Sequence, residues 1–441
     1  MNKSKTIPII SILFILITWV FFSFITSLSN GFLNWDDYLH LVDRKFIHEL
    51  SWENIKSMFT HYSDTYYIPL VYLSFALEYG MVGLTPFFYH YTNLTLHILN
   101  TLLVFFLIYK LDPRISVSLI CALLFGLHPV HVESVVWITE RKDVLSTFFF
   151  LGSLIFYSCY IKKGKISFHL LSLFLFFLAI ISKPTVAILP IVLLILDYYS
   201  NRLFDKTIIL EKIPYFLMSV FFGILLFYSH AFQESMGCAF SLYERIIIAC
   251  RALTFYLYKI IIPLNLSAFY PYPKTLGIDY YLAPFLILGM LSGIFILRHN
   301  KKIIFGALFF LITIGPTLKI IPSGEAIAAD RYMYIPSIGL FYIAGLIFSF
   351  FYYMEKTKLL MAFSFFGVIT FFSILTWERC QIWENDKTLW LDVINKYPYF
   401  YGAYQNLGIY YANTGNLDKA KIEFKKAIDL NPYNKEGYFN L

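Results

Sequence analysis

Apolar runs of about 20 residues recur along this chain, each with few charges and most followed by a short basic cluster, and that pattern admits one class of fold. Within hydrocarbon every backbone N–H and C=O must find a partner inside the chain, so runs of that length become membrane-crossing helices. Of 441 residues 59% are hydrophobic and 14% charged, against about 25% charged in soluble domains. A soluble globular fold is excluded. Aromatic residues make up 20% of the chain, as expected where rings face lipid or line the interfaces.

The expected spans are residues 6–28, 88–109, 115–128, 143–161, 166–182, 184–200, 212–229, 280–297, 303–319, 334–353 and 359–377, an all-α polytopic bundle of about 11 transmembrane helices. The run 6–28 is too long for a cleaved leader and is read as the first span. With the N-terminus in the cytoplasm, the clusters Lys110/Arg114, Lys162/Lys163/Lys165, Arg202/Lys206/Lys212, Arg298/Lys301/Lys302 and Lys356/Lys358 all fall on the cytoplasmic side, as the positive-inside rule requires. This clustering also accounts for the net charge of +7 without nucleic acid as a partner. Residues 245–262 would break the alternation if they crossed, and are read as a re-entrant or interfacial helix. Among the five cysteines, Cys238 and Cys380 alone stand where a bridge could form, the others lying within apolar runs.

After residue 377 the composition turns polar. Pro398 and Pro432 stand 34 residues apart, and Tyr404, Leu407, Gly408, Tyr411, Ala420, Phe424 and Ala427 fall at tetratricopeptide-repeat positions. Residues 1–377 thus form a membrane domain and 378–441 an extracytoplasmic tail, with one full repeat at 401–434. A single repeat buries little by itself. It is expected to lean on the membrane domain and to offer a surface to a protein partner.

The polar residues gather in loops on one side. The first, 29–87, carries Asn34-Trp-Asp36-Asp37; adjacent carboxylates near lipid suit a general base, a raised pKa or a cation ligand. The second holds His128, His131, Glu133, Glu140, Arg141, Lys142 and Asp143. His128, His131 and Glu133 are ligand types, but their spacing matches no metal motif, and no metal or other cofactor is assigned. Arg141 and Lys142 suit an anionic phosphate. Lys183 stands alone between two apolar runs, and the last loop brings Glu325, Asp330, Arg331 and Tyr332. A channel would need such residues along its spans. Their convergence at one face points to a site.

The segments HPVHVESVVWITERKDVLSTFF (128–149), ADRYMYIPSIG (329–339), SKPTVAILP (182–190) and Asn34–Asp37, with the tetratricopeptide tail, resemble the transmembrane and tetratricopeptide-repeat O-mannosyltransferases and their bacterial relatives. The resemblance implies a GT-C glycosyltransferase fold, a polyprenyl-phosphate sugar donor arriving from lipid, mannose as the sugar, and a hydroxyl of an extracytoplasmic protein or glycan as acceptor. It places the acidic motif at Asp36 and Asp37. One of these would be the base of an inverting transfer, while Arg141, Lys142, Lys183 and Arg331 would face the phosphate, with His128, His131, Glu133, Asp143, Asp330 and Tyr332 completing the site. Animal members carry many repeats where this tail has barely one. The Phe-, Ile- and Lys-rich composition points to a bacterial plasma membrane. The rival reading is a non-catalytic scaffold whose repeat docks a partner, which would have no use for paired aspartates.

Overall fold

The computed structural model describes residues 9–60, 67–202, 205–227, 240–273, 275–320 and 326–441; Cys238 and Glu325 lie outside them. Among the described residues the chain is helical except for one two-stranded antiparallel ribbon, β1 (Tyr270–Pro271) and β2 (Ala326–Ala328). Among the described residues six helices are long and apolar enough to cross a bilayer: Ile9–Ser29, Pro86–Leu111, Ile138–Lys163, Lys206–Leu226, Ile278–Ile296 and Lys358–Ile382. By length and composition they mark a multi-pass membrane protein.

The other expected spans are shorter or broken, and proline is a common cause. The run at 115–128 ends at Leu127, turns by 51° at Pro129 and continues to Val136, because proline cannot donate to the helical ladder. Pro184 opens a 3-10 turn, Pro184–Ile188, before the helix Leu189–Tyr199. Likewise Pro316 falls in the 3-10 turn that ends Lys301–Ile314. The runs at 166–182 and 334–353 become Ile166–Ile180 and Ser337–Tyr352.

Small residues let these short helices pack closely. A Cβ on Gly339 would stand 2.3 Å from the Gly306 carbonyl oxygen, so Lys301–Ile314 and Ser337–Tyr352 meet backbone to backbone, the close approach that glycine permits between membrane helices. One apolar core joins Val20, Phe125, Phe150 and Leu193 of the bundle to Trp390, Val393, Ala403 and Leu407 of the tail. The tail therefore packs on the bundle. In it, Asp386–Lys396 precedes the repeat hairpin Tyr401–Asn413 and Leu417–Leu430. Gly408 lies against Phe424, where a Cβ would approach the ring to 2.6 Å.

The two ends of the bundle differ. At one end Lys162 donates to the Lys110 carbonyl at 3.0 Å, and Lys302 and Arg114 both pair with buried Asp112. Arg202 and Lys212 pair with buried Asp197 at the same level. At the opposite end the loops of the four polar clusters meet. The helix Leu242–Ile261 touches that second end at both of its termini: Arg245 donates to the Ile320 carbonyl at 3.0 Å, and His128 contacts the Ile260 carbonyl at 3.0 Å.

Candidate functional site

The two aspartates of the first loop are neighbours in sequence with different environments. Asp37 is fully buried, and its two oxygens accept backbone N–H groups of Leu33 and Thr139, each at 3.0 Å. Burial raises its pKa to about 7 against the lowering effect of these bonds. Asp37 thereby ties the first loop to the second. Asp36 is half-buried and makes no side-chain hydrogen bond among the described residues. Burial raises its pKa, Lys142 and Arg331 pull it down, and Glu140 pushes it up. It is the uncommitted carboxylate of the pair.

Around Asp36 stands a cluster centred on Glu140, which is buried and surrounded by three cations. Lys142 Nζ lies 3.1 Å from its Oε1, Arg331 Nε 3.3 Å from the same oxygen, and Lys183 Nζ 3.8 Å from Oε2. A carboxylate out of water is tolerated only with such partners. Lys183 also pairs with Asp143, which accepts from Ser134 at 3.1 Å. Arg331 pairs with Glu133 through Nη1 and, through its backbone N–H, at 3.1 Å. That leaves Arg331 Nη2 without a protein partner among the described residues. The guanidinium and Lys142 both sit over the Trp137 ring, at 5.5 and 5.8 Å, while Trp35 stacks on it at 4.3 Å. Tyr332 adds its hydroxyl 3.4 Å from Lys319. Burial would raise that phenol, but Arg331, Lys319 and Lys183 together lower it.

Beside this cluster a cleft opens between Arg141–Lys163, the Pro184–Ile188 turn and the end of Lys301–Ile314. Lys183, Arg331 and Tyr332 line it with the Asp143 carboxylate and the hydroxyls of Ser146, Thr147, Thr185 and Thr317. Phe150, Val186 and Ile188 form an apolar side. The cleft is narrow, about 40 Å³ of free volume, and combines two basic side chains, one carboxylate, several hydroxyls and an apolar flank.

Several expected site residues are turned elsewhere. Arg141, expected at the phosphate, points away from the cleft: it pairs with Glu78 at 2.9 Å, donates to Asn93 and to the Tyr89 carbonyl at 3.0 Å, and lies over Phe75. Its neighbour Lys142 faces the cluster, since successive residues at a helix start diverge by about 100°. His128 caps the turn at Val130, accepting its N–H at 3.2 Å, and its Nε2 meets the Ile260 carbonyl. His131 bridges the Phe125 carbonyl at 2.7 Å and Ser337 at 3.1 Å. Both are buried braces. Asp330 faces away from Arg331 and accepts from Tyr270 at 2.8 Å, its pKa raised by burial and by Glu133. No group of three His, Cys, Asp or Glu stands close enough to hold a metal among the described residues. Cys380 is buried with a free thiol.

Sequence reasoning passed over Glu140 as a site residue, although an acid beside an Arg-Lys pair in a predicted helix start was a signal for it. It also passed over the tail. Asp386 accepts the Asn34 N–H at 2.8 Å, and Trp390 packs on Trp35 at 5.1 Å.

Comparison with known proteins agrees with the motifs. A tetratricopeptide-repeat family model matches residues 401–434. Protein O-mannosyl-transferase F38B6.6 of Caenorhabditis elegans is 24% identical over 420 residues, 90% of this chain and 57% of that protein. Protein O-mannosyl-transferase TMTC1 of Homo sapiens is 34% identical over 159 residues, and the human TMTC3 protein 32% over 142. These shorter matches cover 33% and 30% of this chain, and 18% and 15% of the relatives. The chain spans little more than half of the longest-matched relative. The resemblance to the O-mannosyl-transferase family is supported.

Proposed function

We propose that this chain, a relative of the protein O-mannosyl-transferases, is a membrane glycosyltransferase that moves a sugar from a polyprenyl-phosphate donor to a protein hydroxyl. Mannose is the sugar the family suggests. The observation that carries the reading is Asp36: a carboxylate without a side-chain hydrogen bond among the described residues, within the electrostatic reach of Lys142, Glu140 and Arg331, the last of which lines the cleft. A scaffold has no need of an uncommitted, partly desolvated acid there.

In this reading the donor phosphate lies between Lys183, Arg331 and Tyr332, with its polyprenyl tail along the apolar side of the cleft. Asp36 takes the proton of the acceptor hydroxyl as its oxygen attacks the anomeric carbon. The bond from that carbon to the phosphate oxygen breaks with its electrons, inversion results, and polyprenyl phosphate leaves. Arg331 through Nη2 and Lys183 stabilise the charge that grows on the leaving oxygen. Glu133, Glu140 and Asp143 hold these cations in place before the phosphate arrives. Arg141, His128 and His131 act as braces.

The charge pattern favours placing the site and the tail on the extracytoplasmic side, with Leu242–Ile261 lying along that face, in a bacterial plasma membrane. The test is comparative mass spectrometry of extracytoplasmic proteins with and without the gene. Loss of a hexose from any of them, restored by the wild-type chain but not by Asp36→Asn, supports the reading. An unchanged glycan profile favours the scaffold.

A further inference from the structure

We infer that the Asp386–Lys396 helix of the tail is a positioning element of the transfer site, and that Asp386 and Trp390 set where Asp36 stands. The inference rests on Asp36 as the base. Among the described residues Asp36 makes no side-chain hydrogen bond, so its place depends on its neighbours in the chain. On its far side Asp37 is pinned by Leu33 and Thr139. On its near side the anchors come from the tail. Asp386 Oδ1 accepts the Asn34 N–H at 2.8 Å, and Trp390 packs at a tilt on Trp35, 5.1 Å between ring centres, where Trp137 also stacks. Just before the helix, the Glu384 carbonyl accepts the Gly31 N–H at 3.0 Å, and the Cys380 carbonyl accepts from Asn30 at 3.1 Å.

The same helix reaches the other half of the site. Asp392 accepts from Arg379 at 2.8 Å and from Lys396 at 2.6 Å, and Lys396 donates onward to the Leu266 carbonyl. The segment that follows Leu266 carries Phe269, stacked on Phe400 at 4.2 Å, and Tyr270, which donates to Asp330 beside Arg331. One helix thus spans from the base loop to the segment bearing the phosphate-facing arginine. It also packs on the first repeat helix through the shared core of Trp390, Val393, Ala403 and Leu407. An acceptor engaged by the repeat would meet a surface rigidly linked to the base.

A misplacement of about 1 Å at a reacting group costs on the order of a hundredfold in rate. Asp386→Ala removes the acceptor for Asn34 and is expected to lower turnover about ten- to a hundredfold with the donor KM unchanged. Asp386→Asn retains an oxygen acceptor and should restore most of it. Asp386→Glu keeps the charge at the helix N-terminus but displaces the acceptor by one methylene, so it should lose turnover in the same sense and supplies the reading if the alanine variant does not fold. The decisive comparison repeats Asp386→Ala in an Asp36→Asn background, measuring residual transfer from polyprenyl-phosphate mannose. A residue that acts through Asp36 adds no further loss there, whereas a residue that merely supports the fold lowers both backgrounds equally. Equal losses in both backgrounds, wild-type turnover of Asp386→Ala, or an asparagine variant as weak as the alanine would each overturn the inference. A wild-type chain that transfers nothing would overturn the reading of Asp36 along with it, so the two failures are distinct.

Discussion

Replacing Asp36 and Asp37 in turn by Asn separates a base from a brace. Removing a general base typically costs a hundred- to ten-thousandfold in rate, or about 2.7–5.5 kcal/mol of barrier at about 1.4 kcal/mol per tenfold. Asp36 has no hydrogen bond to lose among the described residues, so Asp36→Asn should melt like the wild type and bind donor normally while transferring almost nothing. Asp37 differs. Each of its oxygens receives a backbone N–H, so Asn at that position must turn its own NH2 towards one of them. A buried N–H left unpaired costs about 1–3 kcal/mol, and the loop that carries Asp36 loses one anchor. Asp37→Asn should therefore melt lower and lose transfer only in part. The assay is thermal unfolding of the detergent-purified variants beside single-turnover transfer from polyprenyl-phosphate mannose. Transfer by Asp36→Asn within twofold of the wild type would refute the assignment. So would Asp37→Asn with full stability and no transfer.

Arg141→Met should leave Glu78 buried and unpaired and cost roughly 3–5 kcal/mol of stability, read as a lower melting temperature, with donor KM unchanged in whatever fraction folds. Lys183→Met removes a charge-assisted donor worth about 1.5–3 kcal/mol and should raise the donor KM about ten- to a hundredfold, measured by initial rates. A base must be ionised to act, and the Asp36 pKa is raised above 3.8. Transfer should accordingly fall as pH drops through that raised value, and the residual activity of Asp36→Asn should lack that limb. The raised Asp37 value has the opposite sense for stability: its buried charge is a burden that is absent below about pH 4 and complete above about pH 7. Melting of the wild type relative to Asp37→Asn should consequently decline between those limits.

The membrane character and the gathering of four distant polar clusters at one end were legible because hydropathy and loop charge are local properties. The division of labour within those clusters was not. Asp36 and Asp37 are the same residue type in adjacent positions, and their environments separate because Asp37 meets the Leu33 N–H and the Thr139 N–H, the latter 102 residues away in sequence. Arg141 and Lys142 looked equally suited to a phosphate; Glu78, on a packed helix of the first loop, pairs with Arg141 and turns it away from the cleft. His128 and His131 advertised chemistry but serve as caps and ties between helices, since a buried imidazole is readily satisfied by backbone carbonyls. Span lengths were overestimated at 184–200 and 303–319, where Pro184 and Pro316 fall within the apolar runs, because hydropathy is blind to the missing N–H. The part of the tail in the site was hidden for another reason: Asp386 and Trp390 read as ordinary helix-start and core residues until Asn34 and Trp35 are packed against them.

The most direct test of the whole account is transfer by the purified chain in lipid vesicles, given polyprenyl-phosphate mannose and a serine- and threonine-rich peptide, with the peptide followed by intact mass and its anomeric configuration by NMR. The account predicts a gain of one hexose, with configuration inverted relative to the donor, slowed at least about a hundredfold by Asp36→Asn. A peptide unchanged in mass, or a hexose attached with retained configuration, would contradict it.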